Sequence, residues 1–257
     1  MVLYKYQKIL ISFAFLLILL TGCQGPQHKD PYAAVIQTPQ RVCGEILGYS
    51  LQGRPIELLT VGTGEEVILV IATIHGNEYA GTPLVYKLVD VLKRRPALLD
   101  SHTILIVPVA NPDGVALGTR GNAAGIDLNR NFPAMNRINN QKHGIAGLTE
   151  PESQILYDLI LCHKPARIVS LHQPLVCIDY DGPAENIANF MGIYSPLPVK
   201  KLGGRPGSLG SFCGIDQNIP IITVEFKKSD SQLTANELWA EYGSTLLAFI
   251  TYPYSPY

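Results

Sequence analysis

His75 and Glu78 stand three residues apart in His75-Gly76-Asn77-Glu78, directly behind an apolar run. An imidazole and a carboxylate so placed can turn onto one cation, and their nitrogen and oxygen donors suit zinc. Two ligands leave zinc short, because a catalytic site has three protein ligands and one open position. The best third candidate is His172, which closes a second apolar run at 167–171. Alone, a His and a Glu at this spacing are more often surface residues, so the reading leans on His172. Metal-assisted hydrolysis also needs a base. Glu225 is the one acid in the run 220–226 (PIITVEF), where a lone carboxylate is costly unless it is paired or faces a cleft. The bland alternative is an edge-strand glutamate pointing to water. Arg120 and the segment Asp127-Leu128-Asn129-Arg130-Asn131-Phe132 follow Asn111-Pro112-Asp113-Gly114 in a polar, glycine-rich stretch. A guanidinium offers a planar fork to a carboxylate and an asparagine adds a directed donor, although two loop arginines are by default solvated. His28, His102, His143 and His163 read as solvated or structural.

These side chains need a frame to bring them together. Residues 66–74 (EVILVIATI) are nearly all apolar and rich in branched side chains, the pattern of a strand buried on both faces. Residues 79–92 carry apolar positions at helical spacing in their second half; Lys93, Arg94 and Arg95 then suit a helix C-terminus, and Pro96 stops it. Residues 103–109 read as a second buried strand, and 151–163 as a helix with Ile155, Leu156, Leu159 and Ile160 on its apolar side. Short strands follow at 167–171 and 220–226, and a last helix at 237–250. The alternation predicts an α/β fold with a mixed, largely parallel central sheet flanked by helices. Ligands gather at the carboxyl ends of strands in such sheets, where the unusual residues fall.

The chain has 257 residues, 47% hydrophobic and 16% charged, with 20 Lys+Arg against 21 Asp+Glu. That composition excludes a disordered chain, and the near-zero net charge argues against a nucleic-acid partner. Part of the apolar content is an address. Lys5 and Lys8 precede an apolar run at 9–20 and then Thr21-Gly22-Cys23, which describes a secretory signal at 1–22. The run is short for a membrane span, which takes roughly 20 apolar residues. Leu20-Thr21-Gly22-Cys23 resembles a bacterial lipobox, which implies that Cys23 becomes an acylated first residue. The resemblance implies an exported lipoprotein, held to a membrane by its lipid and facing the periplasm or cell envelope. An uncleaved anchor and an ordinary signal peptide are the alternatives. Without 1–22 the chain has 235 residues and a formal charge of −3. Residues 23–40 then read as a polar tether, and 41–257 as a single domain. Cys43, Cys162, Cys177 and Cys213 lack the spacing of a metal clip and read as buried thiols or one or two bridges.

Taken together, HGNE, NPDG, Arg120, DLNRNF, His172 and TVEF, in that order, resemble the zinc carboxypeptidase superfamily of metallopeptidases. The resemblance runs from about Gly48 to Phe226 and implies zinc held by His75, Glu78 and His172. It implies that Arg120 polarises the scissile carbonyl, that Asn129 and Arg130 grip a terminal carboxylate, and that Glu225 is the general base. Residues 48–55 (GYSLQGRP), LHQPL and 206–212 (PGSLGSF) are most similar to the murein peptide amidase A branch. That branch implies hydrolysis of the amide between γ-D-glutamate and meso-diaminopimelate in peptidoglycan peptides. Two features depart from the family. Digestive-type members carry a mobile tyrosine about two dozen residues before the base, where this chain has Gly203, Gly204 and Arg205. The branch is also associated with cytoplasmic recycling, whereas this chain carries an export signal. A carboxypeptidase on other peptides, an aspartoacylase-like deacylase and a catalytically silent peptidoglycan-binding lipoprotein are the alternatives.

Overall fold

The computed structural model describes residues 42–99 and 101–257. The signal at 1–22, the lipidation candidate Cys23, the tether at 23–40 and His28 lie outside the described residues. Seven strands form one sheet: β1 (Val42–Tyr49), β2 (Pro55–Gly62), β3 (Glu66–Ala72), β4 (His102–Val107), β5 (Arg167–His172), β6 (Cys177–Asp181) and β7 (Ile221–Glu225). Their order is β1-β2-β4-β3-β5-β7-β6. The four inner strands β4, β3, β5 and β7 run parallel, while β1, β2 and β6 attach antiparallel at the two sides. The sheet is therefore mixed, with a parallel centre.

β3 shows why its sequence is apolar at almost every position. Ile68, Val70 and Ala72 point into the core on one face, and Leu69 and Ile71 into the core on the other. Each fully buried Ile or Leu contributes roughly 1.5–3 kcal/mol, so a polar residue on either face would be costly. The first face is covered by α1 (Gly81–Arg94), α4 (Glu185–Ile193) and α5 (Ala235–Thr251) through Leu84, Leu88, Met191, Leu246 and Phe249. The second face is covered by α3 (Pro151–His163) through Leu156 and Ile160, together with Phe132 from a loop and Phe212 from a short π-helical turn at Ser211–Asp216. α3 matches its expected bounds, with Pro151 at the start and Lys164 in a left-handed conformation (φ 45°) at the end. α5 begins two residues before the expected 237 because Thr234 and Glu237 form a reciprocal capping box.

β1, β2, β6 and α4 add to the elements read from the sequence. β1 is mostly exposed and β6 carries two aspartates, so neither has a run of apolar residues. The four cysteines in the described residues are unpaired: Cys43 and Cys162 are exposed, Cys177 and Cys213 buried. His102 opens β4 and contacts Arg167, His143 contacts Asn140 in a loop, and His163 ends α3. All three lie apart from the cavity that His75, Glu78 and His172 line.

Candidate active site

β3, β5 and β7 are neighbours with a common direction, so their carboxyl ends lie side by side. Ala72 pairs with Leu171, and His172 pairs with Glu225. His172 and Glu225 are thus the last residues of adjacent strands. Beyond β3 the chain turns at Thr73, whose φ of 55° is uncommon for a non-glycine residue. The Thr82 hydroxyl donates to Pro108 O at 2.7 Å, which leaves the Thr73 hydroxyl to donate to Thr82 Oγ1 at 2.8 Å. His75 to Glu78 then pack on the NPDG turn and its short helix α2 (Pro112–Leu117). A Cβ on Gly76 would sit 2.0 Å from the Gly114 carbonyl carbon, so the first motif packs on the second only because it has a glycine there, while a Cβ on Gly114 would meet Gly121 O at 2.7 Å.

His75, Glu78 and His172 are all buried and come together. Glu78 Oε2 lies 2.9 Å from His75 Nδ1 and 3.0 Å from His172 Nδ1, and the two Nδ1 atoms are 3.1 Å apart. The outward nitrogens are both engaged. His75 Nε2 faces Asp127 Oδ1 at 3.0 Å, and His172 Nε2 faces Ser170 Oγ at 3.0 Å. A carboxylate can only accept there, so His75 carries a proton on Nε2; when neutral, it turns a lone pair on Nδ1 inward. A tetrahedral site with zinc–nitrogen and zinc–oxygen bonds of about 2.0–2.1 Å has edges of about 3.3–3.4 Å, so these three donors stand within a few tenths of an ångström of the spacing zinc takes. The donor set and its spacing fit zinc.

The carboxylates of this cluster set its charge. Burial works against ionisation of Glu78, yet its hydrogen bonds with His172 and His75 hold the carboxyl well below the usual range. Burial likewise opposes ionisation of Asp127, and His75, Arg120 and Arg130 more than offset it. For His75 burial disfavours the cation, but hydrogen bonds with Asp127 and Glu78 raise the imidazole above its ordinary value. These acids are ionised and ready to hold positive charge.

Arg120 closes over this cluster. Its Nη1 donates to Glu78 Oε1 at 2.7 Å and its Nε to Asp127 Oδ2 at 2.9 Å. Its Nη2 has no partner among the described residues and remains for a ligand. Asn129 accepts from Leu209 N through Oδ1 at 2.8 Å, which fixes the amide and leaves its NH₂ group as donor. Burial lowers the Arg130 pKa, Asp127 partly restores it, and the neighbouring Arg120 and Arg205 lower it again. Crowded guanidiniums of this kind suit an anionic ligand. The segment 203–212 braces this pair. Gly207 O accepts from Phe132 N at 3.1 Å, and a Cβ on Gly207 would lie 2.5 Å from Arg130 O. Glu225 is 8% exposed, accepts from Leu175 N at 3.2 Å, and lines one cavity with His75, Glu78, His172, Asn129 and Arg130.

Comparison with known proteins settles the family. Residues 32–181 match the zinc carboxypeptidase (peptidase M14) family, more than half of the chain. The chain belongs to the zinc carboxypeptidase family. It is similar to murein peptide amidase A of Escherichia coli K12, with 36% identity over 201 residues, 71% of this chain and 80% of that protein. Murein peptide amidase A of Vibrio campbellii is 31% identical over 220 residues, 79% of this chain and 84% of that one. The crystal structure of the murein-tripeptide amidase from Escherichia coli O157 superposes with a TM-score of 0.69 at 31% identity, covering 82% of this chain and 93% of the other. As a member of the zinc carboxypeptidase family, the protein is a zinc-dependent metallopeptidase or amidase.

Every expected site residue in the described region therefore falls in one place, and several partners join them that had no assigned role. Asp127 bridges His75 and Arg120, Ser170 fixes His172, and Gln173 N donates to Glu78 Oε2 at 3.1 Å. Each lies within a motif already singled out or beside one. Partners that orient metal-binding histidines typically change affinity or activity by 10–100-fold when removed. Asp127→Asn is accordingly expected to weaken zinc binding roughly 10–100-fold in competition with a chelating dye, without changing the melting temperature of the apoprotein by more than a few degrees. Unchanged zinc affinity would show that Asp127 does not orient His75.

Proposed function

We propose that this protein hydrolyses the amide between γ-D-glutamate and meso-diaminopimelate in peptidoglycan peptides. One observation carries the reading: the carboxyl ends of three adjacent parallel strands put the His75–Glu78–His172 donors and Glu225 on a cavity that Asn129 and Arg130 also line. The names of the two amidase relatives support the substrate class. In this reading His75 Nδ1, Glu78 and His172 Nδ1 hold zinc. The metal supplies Lewis acidity, polarising the scissile carbonyl and lowering the pKa of water.

The protein's own groups do the rest. Glu225 takes a proton from the attacking water, whose oxygen bonds to the carbonyl carbon, and passes it to the leaving nitrogen as the C–N bond breaks. Arg120 offers its Nη2 to the carbonyl oxygen as charge builds there, while Glu78 and Asp127 hold the guanidinium in place. The Asn129 NH₂ group and Arg130 bind the free carboxylate of the leaving diamino acid, which keeps the amide in register with Glu225. Cys23 carries a lipid that tethers the enzyme to a membrane on the exported side, so its substrates are stem peptides or released fragments of the cell wall.

Glu225→Gln is expected to keep one zinc per chain and lose roughly 10²–10⁴-fold in turnover of L-Ala-γ-D-Glu-meso-diaminopimelate. His75→Ala is expected to lose both metal and turnover. Near-wild-type cleavage by Glu225→Gln would remove Glu225 from the reaction, and release of an ordinary C-terminal residue in preference to diaminopimelate would favour a carboxypeptidase. For the anchor, Cys23→Ala should abolish lipid labelling and shift the protein from the membrane to the soluble exported fraction. An unchanged mature mass and membrane association would contradict it.

A further inference from the structure

The cavity extends past the metal donors and the Asn129–Arg130 pair and reaches two acids, Asp179 and Asp181. β6 runs antiparallel to β7 with Cys177 opposite Glu225, Asp179 opposite Thr223 and Asp181 opposite Ile221. Opposed residues share a face, as do alternate residues along one strand. Glu225, Thr223, Asp179 and Asp181 consequently form one continuous wall, and all four line the cavity that holds His75, Glu78 and His172.

Asp181 is 7% exposed, and its carboxylate has no hydrogen-bond partner among the described residues. It lies between two glycines: a Cβ on Gly210 would be 2.3 Å from Oδ2, and one on Gly204 3.7 Å from Oδ1. Asp179 is 8% exposed and accepts from Leu202 N through Oδ1 at 2.7 Å. Burial raises both carboxyls above their ordinary range and the Asp179 charge adds to this at Asp181; backbone hydrogen bonds and the Arg205 and Lys201 charges at Asp179, and Lys201 at Asp181, offset only part of it. The Lys201 ammonium stands 4.9 Å over the Tyr180 ring instead of pairing with either acid. Two buried acids, one of them unpartnered and facing a ligand cavity, are short of positive charge.

We propose that Asp181 and Asp179 bind the distal ammonium of the diamino acid in the leaving half of the substrate and so determine specificity. The inference rests on the amide hydrolysis proposed above and names what selects its substrate. At about 3.4 Å per residue, Asp179 lies roughly 7 Å and Asp181 roughly 14 Å along the strand from the level of Glu225. In diaminopimelate the two α-carbons are four C–C bonds apart, about 5 Å when extended. A diamino acid with its near carboxylate on Asn129 and Arg130, which line the same cavity, has a span comparable with the step from Glu225 to Asp179, and Asp181 stands one further step along that wall.

The test is calorimetric binding of free meso-diaminopimelate and of L-2-aminopimelate, which lacks the distal amine, to the zinc-loaded full chain. The wild type is expected to bind meso-diaminopimelate roughly 10–100-fold more tightly, the size of a charge-assisted hydrogen bond. Asp181→Asn should bring the two ligands to nearly equal affinity. Asp179→Asn, which keeps the acceptor for Leu202 N, should narrow the gap. Equal binding of both ligands by the wild type overturns the proposal even if a variant fails to fold, and so does full discrimination in both folded variants. Cleavage of the tripeptide, followed on the same preparations, separates the two ideas. Discrimination without cleavage would sink the proposed reaction, whereas cleavage without discrimination would sink the acid pair alone.

Discussion

Two imidazoles facing each other through Nδ1 atoms 3.1 Å apart, with a carboxylate oxygen about 3 Å from each, are the constraint on which the rest of this molecule turns. The three side chains are buried apart from the edge they present to the cavity, so water relieves little of it. A cation shared by the three donors satisfies all of them at once, which is how nitrogen and oxygen ligands hold zinc. Much of the surrounding structure can be read as the means of keeping these atoms aimed inward. Asp127 and Ser170 occupy the opposite ring nitrogens, Gln173 N and Arg120 hold the two oxygens of Glu78, and the parallel register of β3, β5 and β7 fixes the backbones.

The same economy links metal site and substrate site. Asp127 orients His75 and Arg120 together, and its Oδ1 also accepts from Asn129 N at 3.0 Å, so one carboxylate aligns a candidate ligand, a candidate carbonyl donor and the carboxylate-binding pair. The loop carrying Gly207 and Leu209 supports that pair from the other side. A disturbance in this loop would therefore reach Asn129 and Arg130 before it reached the metal donors.

The sequence made the centre of the fold legible because both faces of the inner strands are covered. Runs such as that of β3 have no polar interruption, and α3 is framed by Pro151 at one end and the left-handed Lys164 at the other. β1 and β6 were hidden for the opposite reason. β1 is largely exposed, and β6 spends its inward positions on Asp179 and Asp181, so neither shows an apolar pattern. The site itself was readable where chemistry and position coincide, as at His75, His172 and Glu225. Asp127 and Ser170 were not, since their importance lies in contacts 52 and two residues away in the chain and not in their type. The loop at 203–212 could be noticed but not interpreted, because its hydrogen bonds to Asn129 and Phe132 follow from tertiary packing.

Every role assigned to the surrounding residues depends on which atoms hold the metal. X-ray absorption at the zinc edge of the loaded protein reports them directly. It should find nitrogen and oxygen neighbours only, at about 2.0–2.1 Å, with two imidazoles among them, and one imidazole fewer in the His172→Ala protein. A sulfur neighbour near 2.3 Å, or a spectrum unchanged by His172→Ala, would contradict it.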